Sequence, residues 1–475
     1  MTTPTSELRA RLRGILGAHA VLTDDGDCAP FLGDLRGLYR GRALAVVLPQ
    51  SVAEVASVLA FCHSERIGVV PHGGNTGYCG GATPDESGTQ LVLALKRLNR
   101  IRQIDTVNDS LLAEAGCILA DVQRAADEVE RCFPLSLGSE GSCQIGGNLS
   151  TNAGGTNVVR YGMMRDLVLG LEVVLADGRV LENLGALRKD NTGYDIKSLF
   201  LGAEGTLGVI TAASLKLFPK IRAQATALVA VPDVRAALVL LARLRAAAAE
   251  WLSSVELIPR IGIELTTKHI EGVSDPLGVA HPWYVLCELS GAGGSEALEE
   301  LLTGVLGAAH EEGVVLDAAL ARNERERAAL WRLRESIPEA QRREGAGLKH
   351  DISLPIGALG AFVARASSWV NANVSDSHLI PYGHLGDGNL HFNLTQKPGT
   401  DRERFLARGE EIRRAIHDLV HEFGGSFSAE HGIGRFKVAE LERYASSVEL
   451  SLMRAVKRAF DPHGIMNPGK VLREI

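Results

Sequence analysis

Short apolar runs alternate with amphipathic stretches through the first part of the chain. Ala43–Leu48 reads as a buried strand. Ser51 with Glu54 then makes a capping box, and Val55, Val58, Leu59 and Cys62 fall on one face of a helix that ends before Gly68. A strand at Leu111–Ala115 and a helix at Leu119–Val129 repeat the alternation. Further on, Ala227–Val231 and Trp283–Leu289 have the length and apolar content of strands, and Asp233–Glu250 and Glu296–Glu312 the periodicity of helices. The Ala-rich stretch Ala236–Ala249 is ordinary helix-former composition rather than a linker, and no fixed-period repeat is present.

Three glycine-rich segments interrupt this pattern. Directly after the apolar run at Val69, residues 73–81 hold five glycines in nine positions. Backbone N–H groups in such a loop can line a concave nest that approaches an anion closely, and a pyrophosphate is the natural guest; a flexible loop is the plainer alternative. The second segment, Pro134–Gly155, is dominated by small and hydroxylic residues against which a planar ligand could lie. The third, Asp190–Asp195, leads into Leu201–Thr211, a turn that returns to a strand. No G-x-G-x-x-G opens a helix anywhere in the chain, which argues against a Rossmann dinucleotide site.

The C-terminal half carries a different chemistry. His384 is separated from His391 by a turn, Gly386-Asp387-Gly388, and the run that follows places His391 and Asn393 on one face of a strand. With Glu430 as a third ligand, two imidazoles and a carboxylate form the donor set of a catalytic metal site with an open position. In an extended segment His431 faces away from Glu430 and can act as a base. Spacing alone equally allows turn histidines beside a surface carboxylate.

A length of 475 residues suits two or three domains. The net charge of −7, with both signs interspersed, gives no sign of a nucleic-acid partner. No window approaches the roughly 18 apolar residues of a membrane span, and Met1–Ala20 has no apolar core with a cleavage site; Arg9, Arg11 and Arg13 allow an organelle presequence, but Glu7 and the acidic Asp24-Asp25-Gly26-Asp27 favour an ordinary surface helix. Seven cysteines without a C-x-x-C pair fit a reduced compartment, and a cytoplasmic location is expected. No iron–sulfur or haem pattern is present.

Taken together, the three glycine segments resemble the FAD-binding domain of the vanillyl-alcohol oxidase (para-cresol methylhydroxylase, PCMH, type) superfamily, and the histidine half resembles its FAD-linked oxidase C-terminal domain. Within it the D-2-hydroxyacid dehydrogenases are most similar, over about Arg40 to Leu472. The resemblance implies an α+β chain: an N-terminal segment (1–40), a PCMH-type FAD-binding domain (41–220), a substrate-binding cap with an antiparallel sheet (221–428) and a C-terminal segment (429–475) packing on the FAD domain.

The site residues it implies are these. FAD would be held by Pro71, Gly73, Gly74, Asn75, Thr76, Gly77, Gly80 and Gly81, then by Leu137, Gly138, Ser139, Ser142, Gly146, Gly147, Asn148, Thr151, Asn152 and Gly155. Glu204, Gly205, Gly208, Val209, Ile210 and Asn467 complete the set. Relatives that tether FAD covalently carry a histidine directly after the Gly-Gly pair. Here that position is Asn75, so noncovalent FAD is expected. His384, His391 and Glu430 match the family's metal ligands, for Zn2+ or another divalent ion such as Mn2+ or Co2+, and His431 its base. Arg334 and Lys349 would bind the distal carboxylate of a dicarboxylic acid and Asn393 the C1 carboxylate. Pro338 stands where some relatives offer a threonine hydroxyl.

The expected reaction is oxidation of D-2-hydroxyglutarate to 2-oxoglutarate by hydride transfer to flavin N5, the alternative being D-lactate or a broader set of D-2-hydroxyacids. Electron-transfer flavoprotein or a quinone is the expected acceptor, and a homodimer the expected assembly. A metal-free flavin oxidase, and a metal-dependent hydrolase or nucleotide-binding protein, are the rival classes.

Overall fold

The structure, a computed structural model, describes residues 4–473. Met1–Thr3, which open the segment read for a targeting signal, lie outside them. The chain folds as two units. One takes the residues through Gly154, Met163–Pro219 and those from Glu430 onward; the other takes Gly155–Gly162 and Lys220–Ala429.

Among the described residues the first unit contains two larger sheets and a two-stranded ribbon, Arg131–Cys132 with Phe218–Pro219. In the four-stranded one the order is Val21–Leu22, Ala45–Val47, Leu91–Ala94, Val69–His72; the last three run parallel. The helix Val52–Glu65 begins as its sequence dictates, with Ser51 Oγ accepting the Glu54 N–H at 3.2 Å. It buries Val55, Val58, Leu59 and Cys62 and ends on Arg66 in the left-handed region. The residues before position 41, read as a separate segment, belong to this unit: Val21–Leu22 pairs with Ala45–Val47, and Leu12 of the helix Thr5–Leu16 sits in the same core as Val58. The open edge of Val69–His72 is covered by the C-terminal segment, since Val69 donates to Ile465 O at 2.7 Å and accepts from Asn467 N at 2.8 Å. The second sheet is antiparallel, in the order Ile101–Asp105, Ser110–Glu114, Val209–Lys216, Val168–Val174, Val180–Asn183. Arg102 links Glu114 and Glu172 across it, at 3.0 Å to each.

An eight-stranded antiparallel sheet organises the second unit. Its strand Ala223–Val231 shows why. Ala227, Val229 and Val231 enter one hydrophobic cluster while Leu228 and Ala230 enter another, so the two-residue period feeds two cores. The helices Val234–Ala248, Ser295–Glu311, Leu359–Asn373 and Gly409–Glu422 contribute to the first. Arg260–His269, Glu324–Glu335 and Ile337–Glu344 contribute to the second. The segment Gly155–Gly162, read as part of the FAD domain, groups here: Ser254 Oγ donates to Thr156 O at 2.9 Å and Arg160 Nη1 to Ser290 Oγ at 2.8 Å.

Phe362 is fully buried and meets Phe392 and Phe423 edge-on at 5.4 and 5.8 Å. Phe362→Ala should destabilise the second unit by about 3–5 kcal/mol. A denaturant titration followed by far-UV circular dichroism should show one transition moved to lower concentration; an unmoved midpoint would contradict this packing.

Candidate active site

A cleft of about 930 Å³, open to solvent, lies in the first unit. Residues 71–77 and 79–82 form one wall, residues 143, 144 and 146–148 with Ser150 and Thr151 another, and Glu204, Gly205 and His431 close it. Glycine is needed at Gly74 because a Cβ there would stand 2.3 Å from Ser142 O. Gly147 faces open space, so backbone itself forms that part of the wall.

The donor chemistry of this cleft asks for a ligand. His72 Nε2, Gln144 Oε1 and Asn148 Oδ1, all on its wall, are buried without a hydrogen-bond partner among the described residues. So is Oδ1 of Asn467, whose Nδ2 reaches Gly81 O at 3.0 Å and Glu204 O at 2.8 Å. A buried polar atom left unsatisfied costs about 1–3 kcal/mol, so a polar, planar ligand such as FAD fits the residues present. Burial holds the His72 imidazole neutral, with its pKa lowered to about 4. The Asn75 amide donates to Gly33 O at 2.8 Å and offers no nucleophile for a covalent tether.

Of the residues expected to bind FAD, Pro71, Gly73, Gly74, Asn75, Thr76, Gly77, Gly80, Gly81, Gly146, Gly147, Asn148, Thr151, Glu204 and Gly205 line this cleft. Leu137, Gly138, Ser139, Ser142, Asn152, Gly208, Val209 and Ile210 lie outside its wall, and Gly155 falls in the other unit. The Glu204 side chain turns to the chain itself: its carboxylate accepts the N–H groups of Ile433 at 2.7 Å and Gly434 at 2.8 Å. Burial pushes this carboxyl up despite the two donors. An extended backbone is the condition for Glu430 and His431 to face apart by alternation, and the segment around them is instead a run of bends. Gly432 and Gly434 impose this with φ of +70° and +52°, and a Cβ on Gly434 would stand 2.2 Å from Cys79 O. The His431 ring stacks on Tyr78 at 4.6 Å, a partner the sequence reading missed.

In the second unit the two expected imidazoles come together on one hairpin. Ser377–His384 pairs with Asn389–Gln396 in the register His384 to Asn389 and Tyr382 to His391. The rings of His384 and His391 lie 5.6 Å apart. His384 Nδ1 hydrogen-bonds Oε1 of Glu256 at 2.6 Å, on the neighbouring strand Leu252–Pro259. His391 Nδ1 is 3.8 Å from the Asp351 carboxylate. An imidazole oriented by a carboxylate is the usual form of a metal-ligating histidine. Glu430 follows Ala429 by one peptide bond, and the Ala429 N–H donates to Asp351 O at 3.4 Å.

Arg334, expected to meet substrate, is buried with Nε and Nη2 on Oε2 of Glu256, at 2.7 and 2.6 Å, and its guanidinium lies over the Tyr382 ring at 4.7 Å. Glu256 is fully buried. Burial alone would raise its carboxyl, but His384 and Arg334 hold it down to about 2. Asn393 accepts the His350 N–H at 3.1 Å and donates one Nδ2 hydrogen to Gln341 Oε1 at 3.2 Å; an amide nitrogen carries a second. Lys349 sits half-buried between the short strands Gly347–Leu348 and Asp351–Ser353, both paired to Asn389–Gln396. Glu256 was not singled out from the sequence. The available signal was a lone acid in an otherwise uncharged buried strand, LSSVELIP.

Comparison with known proteins matches both halves. Residues 43–183 match the FAD binding domain and residues 220–471 the C-terminal domain of FAD linked oxidases. A mitochondrial D-2-hydroxyglutarate dehydrogenase from Bos taurus is 41% identical, over 95% of this chain and 81% of that one. One from Arabidopsis thaliana is 38% identical, over 96% of this chain and 80% of that one. The structure of p-cresol methylhydroxylase superposes with a TM-score of 0.75 at 16% identity, covering 98% of this chain and 96% of that one, a likeness of fold. The expected α+β arrangement of a PCMH-type FAD-binding domain with an antiparallel-sheet cap stands. The expected cytoplasmic location does not, because these relatives are named mitochondrial. The seven cysteines, all free, do not locate the chain. With family models covering both halves and relatives at about two-fifths identity along nearly its full length, the chain belongs to the FAD-linked oxidases, alongside proteins named D-2-hydroxyglutarate dehydrogenase.

Proposed function

We propose that the chain oxidises D-2-hydroxyglutarate to 2-oxoglutarate and passes the electrons to an external acceptor, electron-transfer flavoprotein or a quinone. The observation that carries this reading is the 41% identity with the bovine protein over 95% of the chain. The glycine-lined cleft with its unsatisfied polar atoms supports noncovalent FAD, and Asn75 supports the absence of a tether. A homodimer is the assembly that goes with this reading.

When bound, FAD supplies the hydride acceptor, and a divalent ion, Zn2+ or a similar metal, supplies the positive charge that makes a secondary alcohol acidic. The chain's own residues do the rest. His384, His391 and Glu430 would hold the ion, with Glu256 hydrogen-bonded behind the His384 imidazole. The second Nδ2 hydrogen of Asn393 is donated to the C1 carboxylate. Lys349 and the outer edge of Arg334 receive the distal carboxylate. His431, held flat against Tyr78, accepts the C2 hydroxyl proton. Such placement turns a hydride transfer between bound partners into a local event that needs no further ordering.

Two outcomes test these roles. His431→Ala should leave FAD content at the wild-type level while lowering the rate of flavin reduction by about 10²–10⁴-fold, measured by anaerobic stopped flow; an intact rate would remove His431 as the base. Truncating Arg334 would strand the buried Glu256, so Lys349 is the cleaner probe of the distal carboxylate. Lys349→Gln should raise KM for D-2-hydroxyglutarate about tenfold or more, the worth of one charge-assisted hydrogen bond, and change KM for D-lactate little. Equal changes for the two acids would dismiss that role.

A further inference from the structure

We infer that Glu256 is a positioning residue that couples metal affinity to recognition of the substrate's second carboxylate. The inference rests on the reading of His384 as a metal ligand and of Arg334 as a carboxylate reader, and adds the residue that ties one to the other.

The geometry is a single buried carboxylate divided between two functions. Oε1 takes Nδ1 of His384 at 2.6 Å, and Oε2 takes Nε and Nη2 of Arg334 at 2.7 and 2.6 Å. A carboxylate at Nδ1 makes that nitrogen the N–H donor and leaves Nε2 with the lone pair, the tautomer that can coordinate a cation. On the other side, the two bonds to Oε2 and the Tyr382 ring beneath the guanidinium fix all but the Nη1 edge of Arg334, which has no hydrogen-bond partner among the described residues. Both partners therefore have their orientation set by one anion on a sheet strand, and that anion has no exposed surface along which to move. A carboxylate serving Arg334 alone would not need His384 at hydrogen-bond distance.

Neutralising Glu256 should loosen both arms at once. In Glu256→Gln the side chain still fills the space but offers one acceptor oxygen, so His384 and Arg334 can no longer both be served by a charged partner. On FAD-loaded protein stripped of metal, Zn2+ affinity measured by competition with a chromophoric chelator should fall about 10–100-fold, the usual effect of losing a carboxylate behind a ligating histidine. In the Zn2+-loaded variant KM for D-2-hydroxyglutarate should rise more than KM for D-lactate, with FAD content unchanged. Equal Zn2+ affinity in wild type and variant, or equal KM changes for the two acids, would overturn the coupling while leaving the metal reading in place. Failure of the wild type itself to bind Zn2+ would overturn that reading, and the inference with it. Should Glu256→Gln fail to fold, Glu256→Asp gives the same comparison, because its shorter carboxylate keeps the buried charge and cannot span both partners.

Discussion

One residue fastens the cleft of the first unit. Glu204, at a φ of +52°, donates its N–H to Ser150 O at 2.8 Å, accepts Asn467 Nδ2 on its carbonyl at 2.8 Å, and takes the N–H groups of Ile433 and Gly434 on its carboxylate. Glu204 is thereby joined to the segment at Ser150 and to partners 229, 230 and 263 residues further on, around a space lined by glycine backbone. A non-glycine residue in the left-handed region costs about 1–3 kcal/mol, and a buried carboxylate costs more unless donors surround it. The fold sustains both because the bonds made by Glu204 hold the His431 loop and the C-terminal segment in place. The unsatisfied atoms of His72, Gln144, Asn148 and Asn467 are then the polar face that this closure presents to a cofactor.

The second unit meets a comparable demand by a different route. Its sheet is packed by apolar clusters on both faces, so any charge on a central strand must be paired within the protein. Glu256 meets that condition by facing one cation and one imidazole. The same low-dielectric surroundings that make a lone charge expensive there make its directed hydrogen bonds strong. The hairpin carrying His384 and His391 thus gains orientation from the sheet beneath it, and its turn residues are left to shape the loop.

Much of this was legible from residue order. The glycine loop after Val69–His72, the capped helix Val52–Glu65 and the hairpin joining His384 to His391 rest on local rules: glycine density, a capping box and two-residue alternation. What stayed hidden depends on contacts distant in sequence. Nothing near Glu256 announces that Arg334, 78 residues on, and His384, 128 residues on, share its carboxylate. Glu204, expected to bind FAD, lines the cleft, but its carboxylate faces backbone N–H groups 229 and 230 residues away. Gly155–Gly162 lies in a stretch whose composition matches its neighbours, and long-range contacts, hydrogen bonds to Ser254 and Ser290 among them, group it with the second unit. The bends at Glu430 and His431 follow from two positive-φ glycines that a reading of alternation cannot see.

The central claim is that this chain is an FAD-linked dehydrogenase reading a second carboxylate on its substrate. It is tested most directly by mixing the oxidised protein anaerobically with D-2-hydroxyglutarate, and separately with D-lactate, and following the bleaching of flavin absorbance with and without a metal chelator. The account predicts fast bleaching by the dicarboxylate, slow bleaching by lactate, and loss of the fast phase on chelation. Faster bleaching by D-lactate, or bleaching that chelation leaves untouched, would contradict it.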